Sequence, residues 1–309
     1  MVLRAFVVAA AALVVVACGG NKTQRHEVVR VHATTNSLVL VDPAAERVVA
    51  DVRLGGVPRR VAFGDGAFWV AAPDAGLVVR VDARTHAARR FRVGEDPFDV
   101  ALGGGAVWVP DHDRQVLFRV DPRTGRTRAS ANLGGPAVTA GYGLGAAWAV
   151  VAPGDLKRID PNTLALTQTT PNVASTTEEA EPKLLFKRDR VLVVSPSSAW
   201  IARVDASGAS KGKRNVNGLT GGTLARGALW LGNSAGFVVG AGLRARVGYS
   251  PRDLAADADA VWVAVYNESR VKRVDADDGR VVATIRLDRA PVAVAAGDGV
   301  VAVAVTAPL

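Results

Sequence analysis

From residue 37 onward the chain is a succession of short apolar runs separated by clusters of Gly, Pro, Asp and Asn, with nothing helical between them. Residues 97–132 show one unit in full. PFDVAL (97–102) reads as a strand, Gly103-Gly104-Gly105 turns the chain, and AVWV (106–109) reads as a second strand. The loop PDHDRQ leads to a third strand at 116–121, and the turn PRTG leads to a fourth at 126–133. The same grammar fits starts near Pro58, Gly135, Pro182, Gly218, Pro251 and Pro291, seven units with the one at Pro97.

Two markers keep the beat. A triplet of cation, β-branched residue and aspartate recurs as Arg80-Val81-Asp82, Arg119-Val120-Asp121, Arg158-Ile159-Asp160, Arg203-Val204-Asp205 and Arg273-Val274-Asp275, with Leu40-Val41-Asp42 as a variant. The aspartates are spaced by 40, 39, 39, 45 and 70 residues, the last gap being two periods with a degenerate unit inside. Trp69, Trp108, Trp148, Trp230 and Trp262 each sit in the second-strand run, and Val193 and Ala302 take that slot without an indole. Four short strands per period of about 40 residues are the signature of a propeller blade. The last unit stops after its second strand, at 302–305, while strands at 37–41 and 47–54 open the chain without partners. Joining them predicts an all-β, seven-bladed β-propeller of four-stranded antiparallel blades, closed by N- and C-terminal strands so that no edge is left open. The apolar stretch 27–31 competes with the C-terminal strand for one place in the closing blade. Since residues i and i+2 of a strand share a face, the Arg and Asp of the triplet are expected to form a structural ladder of paired charges and backbone hydrogen bonds around the ring, with the arginine stem packed on apolar neighbours or an indole.

Residues 1–17 do not belong to this pattern. One basic residue, Arg4, precedes the run AFVVAAAALVVVA, too short for a convincing permanent span and consistent with a secretory signal. Val15-Val16-Ala17-Cys18 resembles the bacterial lipobox, and Cys18 is the only cysteine, so no internal disulfide exists. The expected organisation is a lipoprotein signal peptide at 1–17, a lipidated Cys18 with a tether to residue 27, and one propeller domain at 28–309. Acylation (diacylglycerol plus an amide-linked chain such as palmitate) would hold the protein at the extracytoplasmic side of a bacterial membrane. The net charge of +9 falls to +8 without Arg4, and only 7 of the 38 basic residues are lysine, an arginine bias that a GC-rich genome also produces.

The unit V-x-R-V-D-P-x-T-G followed by a strand and P-x-x-V-A, best seen in VLVDPAAERVVADVRLGGVPRRVAF (39–63) and VKRVDADDGRVVATIRLDRAPVAVA (271–295), resembles the YVTN-type β-propeller repeat. The resemblance implies a propeller in a secreted or periplasmic setting and no particular chemistry. Virginiamycin B lyase has a similar repeat style but uses a histidine and a metal in its C-terminal blades. Here the histidines are His26, His32, His86 and His112, so that activity is not implied. The tryptophan positions also depart from those of quinone-dependent propellers.

In a propeller the loops entering the innermost strands and those joining second to third strands gather at one face of the central channel. Here they carry Arg59, Arg60, Asp96, Phe98, Asp99, Asp111, His112, Asp113, Arg114, Arg252, Asp253, Tyr266, Asn267, Glu268, Ser269 and Arg270. PDHDRQ, an imidazole between two carboxylates, could act as a general base or hold a cation, but adjacent ligands without a distant cluster do not define a metal site. No cofactor is expected. The long connection 170–190 holds Glu178, Glu179 and Glu181 followed by Lys183, Lys187, Arg188 and Arg190. The opposite face gathers Arg84, Arg123, Arg126 and 211–214. Without stacking aromatics beside them, nucleic acid is the lesser expectation. The reading is a monomeric, membrane-anchored module that binds a protein or small ligand. The alternatives are a metal-dependent hydrolase or lyase at the channel mouth, and a basic face for nucleic acid or anionic envelope polymer.

Overall fold

The computed structural model describes residues 28–45, 47–177 and 180–307. They form seven four-stranded antiparallel sheets arranged as the blades of a β-propeller. In chain order, the first six blades span 60–92, 101–132, 137–170, 183–215, 219–246 and 253–287. The seventh is composite, with Ala290–Gly297 innermost, then Val300–Thr306, Ser37–Asp42 and Arg47–Arg53. Val39 opposes Val303 and Val41 opposes Val301, so the N-terminal strand closes the ring on the C-terminal hairpin. No helix among the described residues is long and apolar enough to cross a membrane.

The radial order of each blade follows from the apolar pattern. Second strands such as AFWVAA and AVWVAV are buried at every position, because neighbouring blades cover both their faces. Outermost strands such as SKGKRN are exposed at every position. The segment Val28–Val31 does not enter the seventh blade. It pairs in parallel with Val281–Leu287 as a fifth strand on the edge of the sixth blade, with Val31 opposite Leu287. Asp288 anchors it by accepting the Ala33 N–H at 2.8 Å while its own N–H reaches the Val31 carbonyl at 3.2 Å. The contested place is filled instead by a longer antiparallel partner, and the short segment covers an exposed edge.

Pairing register gives the repeated residues their roles. Trp69, Trp108, Trp148 and Trp262 stand directly opposite Arg80, Arg119, Arg158 and Arg273 of the triplets. The guanidinium groups of Arg158 and Arg273 lie 5.8 Å from the ring centres of Trp148 and Trp262. In the fifth blade Trp230 faces Gly240, where a Cβ would approach the indole to 2.4 Å, so the arginine has no room. In the fourth blade Arg203 faces Leu192, not Val193. The expected slot was therefore one residue off, and in a strand that slip reverses the face.

Of the expected ladder, the arginine packing on indoles and the backbone hydrogen bonds of the aspartates are present, whereas the Arg–Asp charge pairs are largely absent among the described residues. Arg80 reaches Asp82 at only 3.4 Å, and Arg158 donates to the Ala206 carbonyl of the next blade at 3.0 Å. The aspartates serve the turns instead. Asp160 accepts the N–H groups of Asn162 and Thr163 at 2.8 Å, and Asp42, Asp82, Asp121, Asp205 and Asp275 bind their own turns alike. These bonds favour the carboxylate. In Asp82 the Thr85 N–H, the largest influence, holds the pKa at about 2.

Asp82→Ala is expected to lower stability by about 1 kcal/mol in urea unfolding, a modest loss because the turn is partly solvated. The folded pKa is depressed, so this contribution is complete above the unfolded value of about 3.9 and disappears as pH falls towards 2. An equal wild-type-to-variant difference at pH 6 and in strong acid would contradict the assignment.

Candidate functional site at the channel mouth

The innermost strands place one residue each at the same level of the central channel. Two positions before the partner of each second-strand marker stand Arg60, Asp99, Thr139, Lys183, Gly221, Asp253 and Ala293. Two of them knit adjacent blades. Asp99 accepts the Val100 N–H at 2.7 Å on its own blade, and the Thr139 hydroxyl at 2.5 Å and the Ala140 N–H at 3.0 Å on the next. Asp253 repeats the device, accepting the Leu254 N–H at 2.9 Å and the Val294 N–H of the following blade at 3.0 Å.

The two carboxylates differ electrostatically. Burial pushes the Asp99 carboxyl above the ordinary range despite Arg60 and three hydrogen bonds. Burial acts on Asp253 in the same direction, but there the charges of Lys183 and Arg60 with their hydrogen bonds prevail, and its pKa is lowered. The difference is contact, since the Lys183 ammonium reaches Asp253 at 2.7 Å across the fifth blade's Gly221 position and also binds the Leu254 carbonyl at 2.6 Å.

Above this level lies the mouth, a cavity of about 410 Å³ lined by Arg59, Arg60, Glu181, Thr220, Arg252, Tyr266 and Asn267 among others. The long connection between the third and fourth blades delivers Glu181 into it. Its carboxylate, 6% exposed, is held by Arg59 and by Arg60 at 2.7 Å. Burial alone would lower the Arg60 pKa, but Glu181, Asp99 and Asp253 together raise it, so Arg60 remains a fixed cation. The connection is pinned by the Trp200 indole N–H to the Val173 carbonyl at 2.9 Å and by the Ser175 N–H to the Ser195 hydroxyl at 3.1 Å. Glu178 and Glu179 lie outside the described residues.

Of the residues expected at this face, Arg59, Arg60, Arg252, Tyr266 and Asn267 share the mouth, and Asp99 and Asp253 lie beneath it in the channel. Arg252 stacks 4.8 Å from the Tyr266 ring centre. Phe98 carries Arg59 on one side at 3.6 Å and packs on the His112 ring with centroids 5.0 Å apart. Asp111 is fully buried and braces its loop, accepting the Glu95 N–H at 2.7 Å and the Arg114 N–H at 2.9 Å. The group that approaches His112 with Asp113 is Asp96, at 3.6 Å, and the three ligand atoms lie within 4.8 Å of one another. Burial raises the Asp96 pKa and Asp113 adds to it, while His112 opposes. Arg114 pairs with Glu95 at 2.6 Å at the outer rim. Glu268 pairs with Arg270 at 3.1 Å and accepts the Tyr249 N–H at 2.8 Å, bracing the loop after Ser269 turns the chain. On the opposite face Lys211 pairs with Asp205 at 3.0 Å. Sequence reading grouped Glu181 with its acidic neighbours. Its place two residues before Lys183, the fourth blade's counterpart of Arg60, was the available signal that it would stand at the mouth, level with Pro58 of the first blade.

No family model matches the chain, and no curated protein matches it in sequence. Solved structures match in fold. Hydrazine synthase from Kuenenia stuttgartiensis superposes with a TM-score of 0.63 at 14% identity, over 77% of this chain and 89% of that one. The Swd1 β-propeller domain of Myceliophteria thermophila gives 0.63 at 12%, over 81% and 96%. BamB from Moraxella catarrhalis gives 0.54 at 16%, over 79% and 95%. At such identities the likeness establishes the propeller and nothing about chemistry.

Lys183→Met strands the Asp253 carboxylate and is expected to cost about 3 kcal/mol in urea unfolding. Adding Asp253→Asn is expected to recover at least half of that loss. Additive losses in the double variant would show that the two side chains are not coupled.

Proposed function

We propose that this chain is a lipid-anchored, extracytoplasmic propeller of the YVTN-repeat type whose channel mouth binds an acidic segment of a partner protein. The observation that carries the reading is the capture of Glu181 by Arg59 and Arg60. A carboxylate on a stretch of this chain outside the regular strands sits in the mouth between two guanidinium groups, so the site has the geometry to hold such a group. Beside it Arg252 lies on Tyr266 with no carboxylate partner among the described residues, leaving a cation and an aromatic face for a second contact. Three buried or half-buried cations, Arg59, Arg60 and Lys183, balance Glu181, Asp99 and Asp253, which suits a scaffold that presents a rigid face and does not itself carry out chemistry. The lipobox-like Val15–Cys18 stretch supports attachment to the membrane, and the repeat supports the family type.

A photoreactive residue introduced at Asn267 in cells is expected to trap a discrete partner, and one at Arg84 on the opposite face is not. Arg252→Glu should reduce the Asn267 adduct about ten-fold, the effect of losing one charged contact. Equal trapping from both faces, or an adduct indifferent to Arg252→Glu, would remove the mouth as the binding surface. Cys18→Ser should move the protein from the membrane to the soluble fraction. Retention in the membrane would rule out anchoring through that residue.

A further inference from the structure

Five of the seven blade interfaces are filled by a tryptophan from the second strand of the preceding blade. Trp69, Trp108, Trp148, Trp230 and Trp262, at most 1% exposed, project into the interfaces between blades one and two, two and three, three and four, five and six, and six and seven. Ala302 leaves the seventh interface without an indole, but Leu38, Leu40, Phe63 and Phe68 fill that space. At the interface between blades four and five the slot holds Leu192, and no aromatic ring compensates. The result is a cavity of about 740 Å³ between Leu192 and Ile201 on one side and Leu229, Leu231 and Val239 on the other. That is several times the roughly 150 Å³ that accommodates benzene in an engineered apolar cavity. Val239 is 40% exposed at its open edge.

The missing indole has a second consequence. Arg203 stands where Arg158 and Arg273 lie over tryptophan, and here it has no ring to cover. Arg214 pairs across the strand with Ile201 and so shares the cavity's face. Both guanidinium groups are exposed at the cavity edge, and neither makes an ion pair or side-chain hydrogen bond with a described residue. Lys213 differs, since its ammonium lies over Trp200 on the other face at 4.0 Å. An apolar slot open to solvent, with two uncompensated cations at its rim, matches an amphiphile with an alkyl tail and a negative head.

We propose that the interface between the fourth and fifth blades binds a free single-chain fatty acid, its tail beside Leu192, Ile201 and Leu231 and its carboxylate on Arg203 and Arg214. This site is separate from the channel mouth and stands or falls independently of it. The full chain carrying Cys18→Ser, which takes no lipid of its own, is titrated with a dansyl-labelled undecanoic acid. Saturable binding at one site is expected, with dodecanoate displacing the probe at least about ten-fold better than dodecanol or dodecyltrimethylammonium. Leu192→Trp, which restores the indole, and the double variant Arg203→Glu with Arg214→Glu should each weaken binding about ten-fold or more. Val239→Glu, at an exposed position, places a negative charge at the entrance without touching the core, and decides the matter if Leu192→Trp fails to fold. Unsaturable uptake, equal displacement by the neutral or cationic chain, transfer of the probe's binding to anionic phospholipid vesicles, or full affinity in Val239→Glu would overturn the proposal.

Discussion

The contact on which the ring depends is the insertion of a second-strand indole into the face of the next blade. A tryptophan buries more apolar area than any other side chain and does so as a flat plate, which suits the space between two twisted sheets. Each indole does more than fill volume. Trp148 and Trp262 carry the arginine opposite them, Trp69 and Trp108 stack on Phe91 and Tyr142, and in Trp108 and Trp148 the N–H closes the inner hairpin onto a glycine carbonyl, at 3.0 and 2.9 Å. A further match operates nearer the axis, where the glycine ending one innermost strand receives a ring from the next blade. Gly143 lies under Phe186 and Gly297 under Phe63, each too close for a Cβ.

Around the axis the logic changes from apolar packing to charge. Inner strands pair only with their own second strands, so adjacent blades are tied there through side chains. Asp99 and Asp253 perform this role with one oxygen for their own blade and one for the next. Burying carboxylates requires compensation, and Lys183 and Arg60 supply it from other blades. That arrangement leaves the arginine heads at the mouth, where Glu181 neutralises them and Arg252 does not find a carboxylate. The chemistry of the proposed binding face is thus a product of the bonding that holds the axis together.

The places that depart from the repeat are where function is read most directly. The long third-to-fourth connection supplies Glu181, and the fourth blade's leucine leaves an interface partly open. Replacing one indole both opens the cavity and releases the arginine that would have covered the ring, so a single change accounts for both parts of an amphiphilic site.

Much of the fold was legible in the chain itself. The recurrence of the triplet and tryptophan at one beat determined seven blades, four strands each, and the joining of 302–305 to 37–41, because strand length, turn residues and burial on both faces are local properties. Which face a residue takes was legible only where the marker was present. Val193 was preferred to Leu192 because without the indole nothing in the sequence distinguishes two adjacent apolar residues, whereas pairing with Arg203 does. The triplet aspartates were recognised as structural, but their partners are turn N–H groups that no spacing names. Tertiary structure alone decided that Asp111 turns inward while Asp96 meets His112, that Val28–Val31 joins the sixth blade, and that Glu181 reaches Arg59 and Arg60. The first two contacts join neighbouring loops of the second blade and turn on which side chain faces inward, whereas the last two join segments that ring closure brings within bonding distance without leaving a periodic trace in the sequence.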